Sequence, residues 1–373
     1  MKVKRLIVAI LAAFLVFLTS PRAEAVNTRL IDGVLQKSVL DSQDLQIIDN
    51  FMDEAVQELI GIRDFSDIAQ IRTAILSRQS NQAQYAEQFS ESAYKYTSQA
   101  LQKTSRLTPE GYRVLLTMNL LILIDGLENP RIAELAIENL KDKNTIIRYW
   151  AVHCLTNPNV TKKLNAGEAA NLKLARNIVT ELKELVESSN PETLVLMAQF
   201  AGDIKIQEAE SLLIQLADTR IKKYATWTVE YELLDGDILK SLSNKMATTD
   251  VNNSSSTTNK GNPVAGRFAQ LYSYVIQRYL KGQRIPSDTQ KNRLASVIVE
   301  TEDKCISKLM GRIHTTIKRA VEENDMNALF QEHNKLLGDE RKAGELPTKF
   351  NFDYDGSAVP PALPEPPINK ELK

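Results

Sequence analysis

The sequence predicts an all-α protein, and three observations carry that prediction. Apolar residues recur at intervals of three and four along nearly every ordered segment, the period of one helix face. No run alternates apolar and polar residues as a half-buried strand does. Glycine is scarce, 14 among 373 residues, and concentrated nowhere, which disfavours a chain of tight β-turns. Hydrophobic residues, at 43%, suffice for sizeable cores, and the length allows two or three domains.

Residues 1–25 read as a signal peptide and not as part of the fold. Lys2, Lys4 and Arg5 precede an unbroken apolar run from Leu6 to Leu18, and Ala23-Glu24-Ala25 fits a small-residue cleavage pattern. The run is shorter than the roughly 20 residues that span a bilayer. Retention as an N-terminal anchor is the alternative. Cleavage after Ala25 makes the mature chain secreted or periplasmic. It removes four basic residues and one acid from totals of 46 and 47, leaving a net charge of −4. A mildly acidic chain argues against nucleic acid as the main partner, because phosphate binding needs a concentrated basic field.

Residues 26–107 predict an N-terminal helical segment. Ile47, Ile48, Phe51, Met52, Ala55, Val56, Leu59 and Ile60 place one helix over about 44–60. A second follows Asp64, with Ile68, Ile71 and Ile75 on one face. A third carries Tyr85, Phe89, Tyr96 and Leu101, an aromatic stripe whose helical spacing reads as core. Thr108-Pro109 predicts a helix start, with a capping hydroxyl and then proline in the first turn. Val114 to Ile124 is apolar nearly all round, which predicts a helix covered on every side.

Residues 108–246 alternate helices with short turns. Asn129-Pro130 opens one helix and Thr145 to Leu155 forms the next. A longer one runs from about Glu168 to Glu187, and Asn190-Pro191 opens another that Gly202 closes, with Ile206 to Ala217 following. Alternation of this kind calls for a repeat search. Ile147-Arg148 is followed by Ala151 and Leu155; Ile221-Lys222 is followed by Ala225 and Val229 at the same offsets. Tyr112-Arg113 precedes Leu116 and Leu120, and Leu194-Val195 precedes Ala198 and Gly202.

On these residues the segment resembles the HEAT-repeat family, best over residues 129–230. In that family a second helix follows an aspartate-containing turn and carries an apolar–basic pair, a small residue and a leucine. Asp142, Ile147, Arg148, Ala151 and Leu155 match in that order. The resemblance implies that Asp142 and Arg148 bond between neighbouring repeats, as structural residues. Ile221, Lys222 and Ala225 stand at the corresponding positions of a further unit. The implied architecture is an irregular HEAT-like helical-repeat solenoid, flanked by N- and C-terminal helical segments. Uneven spacing between anchors leaves a plain irregular helical bundle as the alternative.

Residues 247–263 (ATTDVNNSSSTTNKGNP) are polar and low in complexity, which predicts a disordered linker. Residues 264–340 predict a C-terminal helical segment: an apolar-rich helix from Phe268 to Leu280, then one long or two shorter helices over 288–337. The latter carry Leu294, Val297, Ile298, Cys305, Leu309, Ile313, Ile317, Ala320 and Val321 at helical spacing. Residues 341–373 hold Pro360, Pro361, Pro364, Pro366 and Pro367 and predict a disordered, extended tail.

No catalytic, cofactor or metal motif emerges. His153, His314 and His333 have no metal-ligand spacing, and His153 and Cys154 point about 100° apart on a helix. Nucleophile-elbow, P-loop and dinucleotide-binding motifs are absent from the sequence. Acidic clusters such as ETEDK, residues 300–304, read as solvated helix faces, and so does the stripe Lys304, Lys308, Arg312. Cys154 and Cys305 read as two free buried thiols, with a bridge as the alternative. Asn159-Val160-Thr161 and Asn252-Asn253-Ser254 fit glycosylation acceptors, a triplet common by chance.

The expectation is an exported, non-enzymatic α-solenoid that binds a protein partner or scaffolds a cell-envelope assembly, with no cofactor and no small-molecule substrate. One alternative is a membrane-surface or lipid-binding protein acting through its C-terminal helices. The other is an enzyme with a helical fold, using carboxylates or His153 in a groove, a reading that gains ground if His153 and two acids face one cleft.

Overall fold

In the computed structural model, described over residues 26–62, 65–252, 262–281 and 287–366, the chain is all-α. The expected signal peptide, residues 1–25, lies outside the described residues. The chain divides into two compact units between Trp150 and Ala151. That division falls inside a helix, and not at the expected boundaries near 107 and 246.

Unit 1 holds α1 (Arg29–Leu35), α2 (Ser42–Gly61), α3 (Phe65–Leu76), α4 (Ala83–Thr104), α5 (Glu110–Leu127) and α6 (Pro130–Ala133), which continues as a 3-10 helix to Lys141. It ends partway along α7 (Thr145–Thr156). Asp41 caps α2 by accepting from the Gln43 and Asp44 amides, and Asp44 returns the bond to the Asp41 amide. The aromatic stripe of α4 is core, with Tyr85, Phe89 and Tyr96 all buried. Tyr96 also donates from its hydroxyl to Asp49 of α2 at 2.6 Å, and Ser92 donates to the same carboxylate at 2.8 Å. In α5, Leu116, Leu120, Leu121, Leu123 and Ile124 are all 0% exposed, but Val114, Leu115, Met118 and Ile122 are only half-buried, so the helix is covered over most of its circumference and not on every side as expected. Its start differs from expectation: Pro109 is the cap residue and no side chain caps it, so Thr108 has no capping role.

Arg113 of α5 joins the turn before α7. Its guanidinium donates to both oxygens of Asp142, at 2.6 and 3.1 Å, and to both oxygens of Glu110. Asp142 also accepts from the Asn144 amide at 2.7 Å. Arg148 does not share this bond. It donates to the Asp142 and Lys143 carbonyls at 2.8 and 3.1 Å, bracing the turn that precedes its own helix. Ile147 is fully buried.

Unit 2 takes the rest of α7, in which Ala151 and Leu155 are fully buried. It continues with α8 (Pro158–Leu164), α9 (Ala169–Leu185), α10 (Pro191–Asp203), α11 (Glu208–Ala225), α12 (Leu233–Asn252) and α13 (Pro263–Leu280). Asn157, Asn190 and Asn262 each cap the helix that the following proline begins. Gly202 does not close α10 but lies within it. A Cβ there would come 2.9 Å from Cβ of Ser241, so glycine lets α10 and α12 approach closely. α12 runs to Asn252, into the segment expected to be a linker; residues 253–261 lie outside the described residues. Part of the second glycosylation triplet, Asn253-Ser254, lies there too. Cys154 and Cys305 are free and buried.

The C-terminal region is more broken than its periodicity predicts. α14 (Asp288–Thr301) passes through a π turn at Glu302–Ile306 into α15 (Ser307–Met310), and Gly311, at φ 68°, ends it. α16 (Thr316–Glu322) and α17 (Met326–Leu337) follow. The break leaves Ile313 87% exposed and takes Arg312 off the expected basic stripe, to pair with Glu345. Nor is Glu302 on a solvated face. It is 0% exposed and accepts from the Ile317 and Lys318 amides at 2.9 and 2.6 Å, capping α16.

Residues 341–366 are not a disordered tail. A two-residue hairpin pairs β1 (Gly338–Asp339) with β2 (Lys342–Ala343), and α18 (Glu345–Phe350) follows. Phe352, Tyr354 and Leu363 are buried, and the Tyr354 hydroxyl donates to the Leu337 carbonyl at 2.9 Å. Apolar anchors spaced along a polar, proline-containing stretch account for its order. Residues 367–373 lie outside the described residues.

The Arg113–Asp142 pair makes unit 1 acid-sensitive. Burial pushes the Asp142 carboxyl up, but the Arg113 guanidinium and the Asn144 amide hold it, on balance, below its ordinary 3.8. A depressed folded value means that the pair's contribution is complete above 3.8 and is lost as pH falls through that lower value. Asp142→Asn is expected to flatten the fall of melting temperature below that pH. Arg148→Ala, losing two bonds to carbonyls, should cost about 1 kcal/mol, or about 2–4 °C. Thermal melts across the acid range check both, and an unchanged Arg148→Ala melt removes the bracing role.

Candidate functional site

The loop joining α11 to α12, residues 226–232 (TWTVEYE), concentrates the unusual features of unit 2. Trp227 and Tyr231 sit at φ 61° and 57°, a left-handed conformation unusual for aromatic residues. Each such residue costs on the order of 1–3 kcal/mol and persists only where its surroundings enforce it.

A buried charged pair provides the enforcement. Arg220 of α11 and Asp235 of α12 have side chains 2% and 0% exposed. The guanidinium meets both carboxylate oxygens, at 2.6 and 3.1 Å, and also donates to the Glu230 carbonyl of the loop at 2.9 Å. The Tyr224 hydroxyl donates to Asp235 at 2.7 Å. Burial raises the Asp235 carboxyl, while Arg220 and Tyr224 favour its ionised form. Glu232, 1% exposed, accepts from the Gln290 side chain.

Arg278 of α13 covers the loop. Its guanidinium carbon lies 4.1 Å from the centre of the Trp227 ring, within cation–π range. Its Nε and Nη1 are buried and meet no hydrogen-bond acceptor among the described residues. Burial holds this guanidinium below its ordinary value, with Tyr224 and Glu232 opposing. On its other functional side, the Trp227 indole N–H donates to the Pro364 carbonyl at 3.0 Å.

Residues 361–365 of the tail therefore pack against this assembly. Gln277 donates to the Pro361 carbonyl at 3.0 Å and accepts from the Leu363 amide at 2.6 Å. Lys281 donates to the Leu363 carbonyl at 2.8 Å and pairs with Glu365 at 3.1 Å. Beside the tail opens a groove of about 520 Å³, which Gln277 and Lys281 also line. Its apolar walls are Leu280, Phe330, Val359, Pro360 and Ala362, and Phe330 is 54% exposed.

His333 lines this groove, and both of its ring nitrogens are engaged. Asn334 Oδ1, 3.0 Å from Nδ1, can only accept, so Nδ1 carries the proton. Nε2 then accepts from the Ser273 hydroxyl at 2.9 Å. Burial keeps the imidazole below its ordinary 6.5 and neutral. A hydroxyl, an imidazole and an amide in series resemble an activated nucleophile. Ser273, however, is 0% exposed, already receives a bond from Gln277 at 2.8 Å, and does not line the groove. The arrangement ties α13 to α17.

A second cleft of unit 2, about 330 Å³, brings together His153, Asp203 and Asp237, with Lys240 and Asn244 beside them. His153 and two acids thus face one cleft, the arrangement by which the enzyme alternative gains ground. Among the described residues, no group of three or more histidine, cysteine or acidic side chains could hold a metal ion.

The residues of the expected repeat signature lie elsewhere. Asp142, Ile147 and Arg148 belong to unit 1, and Ala151 and Leu155 to the core of unit 2. Ile221, Lys222 and Ala225 do not begin a second helix of a repeat. They occupy the last turn of α11, with Lys222 exposed and Val229 beyond the helix end. Sequence reasoning missed Trp227, Gln277, Arg278, Lys281 and Leu363. Two aromatic residues in a loop and a leucine between prolines were the available signals.

The chain matches no protein-family model and shows no significant similarity to a curated protein sequence.

Truncating one partner of a buried ion pair strands the other. Arg220→Ala should therefore cost about 3–5 kcal/mol, read as a lower urea midpoint. A loss within the roughly ±0.5 kcal/mol usual for a surface substitution would contradict the enforcement of the loop by this pair.

Proposed function

We propose that the chain is an exported, non-enzymatic module that binds an extended segment of a protein partner, on a HEAT-like helical scaffold in the cell envelope. The observation that carries this reading is the apolar groove with half-exposed Phe330, one wall of which is itself an extended polypeptide. An open concavity with an aromatic anchor and a few polar groups at its rim is the usual form of a peptide site. Support for the HEAT-like element comes from Asp142, which meets the arginine of the preceding anchor, Arg113. Support for export comes from the character of residues 1–25. No described helix is long and apolar enough to cross a membrane.

A second reading, small-ligand or enzymatic, draws on the cleft with His153, Asp203 and Asp237. One pair of variants separates the two. The mature chain, crosslinked in its native envelope fraction, should capture a stoichiometric protein partner. Phe330→Asp should abolish that capture with helical circular dichroism unchanged, and His153→Ala should leave it within about twofold. Capture that survives Phe330→Asp and fails with His153→Ala would move the site to the second cleft.

A further inference from the structure

Residues 361–365 are held as a ligand is held. Proline fixes φ near −65° and has no amide proton, so an extended proline-rich segment offers mainly its carbonyls for recognition. Three side-chain donors meet three of them: Gln277 at Pro361, Lys281 at Leu363 and Trp227 at Pro364. The amide of Leu363 finds its acceptor in Gln277 as well. Leu363 is 2% exposed and forms the apolar anchor, while Ala362, Pro364 and Glu365 are exposed.

Two further observations separate this from an ordinary packed terminus. Among the described residues, no hydrogen bond between main-chain groups involves residues 358–364. The receptor side has contacts of its own besides the tail: Trp227 lies in a strained loop whose Glu230 carbonyl accepts from Arg220, and Arg278 packs on its ring at 4.1 Å. An aromatic N–H and flanking side-chain donors reading carbonyls of a proline-rich segment is the chemistry of polyproline recognition.

We propose that the channel formed by Trp227, Gln277 and Lys281 is a binding site for extended peptides of the form Pro-x-Leu-Pro. The chain's own Pro361-Ala362-Leu363-Pro364 fills it, and a partner's segment of the same chemistry takes its place. This deepens the protein-binding reading and rests on it. Gln277 and Lys281 line both the channel and the open groove, and Ala362 of the tethered segment is a wall of that groove, so exchange of the segment also remodels the groove. The tethered segment competes at a high effective concentration, which weakens apparent binding of a peptide to the native chain.

The test uses the mature full chain and a fluorescein-labelled peptide with the sequence of residues 358–366, followed by anisotropy. Leu363→Asp removes the anchor of the tethered segment, and the peptide should then bind at least about tenfold more tightly than to the native chain. Glu365→Arg, at a 72% exposed side chain, loosens the same segment without disturbing the core and should act in the same direction. Adding Gln277→Ala to either variant should reverse the gain. Failure of the peptide to bind both opened variants, with their melts unchanged, would overturn the proposal and make the segment a permanent strap. Binding indifferent to Gln277→Ala would overturn the location of the site. Either failure leaves partner capture through Phe330 intact if the broader reading holds, so the two are distinguishable.

Discussion

Arg220 and Asp235 are buried together where neither could be buried alone. An uncompensated charge at either position would cost several kcal/mol, so the two helices that carry them are fixed in register. The consequences run outward in order. Arg220 also holds the Glu230 carbonyl, which sets the path of the loop between α11 and α12. That path keeps Trp227 in a left-handed conformation and points its indole N–H at the tail. Arg278 packs on the same ring with two buried guanidinium nitrogens that meet no acceptor among the described residues, a cost borne at the site that receives the tail. Backbone strain and incomplete hydrogen bonding thus meet at one point of unit 2.

The helices around this assembly are set by simpler means. Asparagine followed by proline starts α6, α8, α10 and α13, the asparagine side chain accepting from the first amides and the proline having none to satisfy. Glycine is kept for close approach, as at Gly202 against Ser241, or for reversal, as at Gly311 and at Gly338. Such local devices explain how a chain with few glycines makes many short connections.

The fold class was legible because helical periodicity is written in neighbouring residues. Ile48, Met52, Ala55 and Leu59 are spaced for one face and are buried on it. Distance in sequence limited the rest. The proline-rich tail reads as disordered because composition reports only whether a segment can build its own core. Leu363 does not build one; it is received by Gln277 and Lys281, more than eighty residues away. The stripe from Leu294 to Val321, read as one long or two shorter helices, shows no break at 311–315 because Ile313 keeps the spacing, while Gly311 and the Glu302 cap end one helix and start another. Ile221, Lys222 and Ala225 satisfy a repeat pattern by offset alone, at the end of a helix that began at Glu208. Arg113 and Asp142 were both singled out in sequence, and only their meeting in space shows that one serves the other.

Hydrogen exchange at the Leu363 amide tests the account most directly. Its acceptor, Gln277 Oε1, lies 2.6 Å away. A tethered but exchangeable segment predicts protection at least about tenfold above a free peptide, yet well below that of α13 amides such as Ser273, because the tail opens without global unfolding. Exchange at the free-peptide rate would contradict the held tail, and protection equal to that of α13 would contradict its exchange.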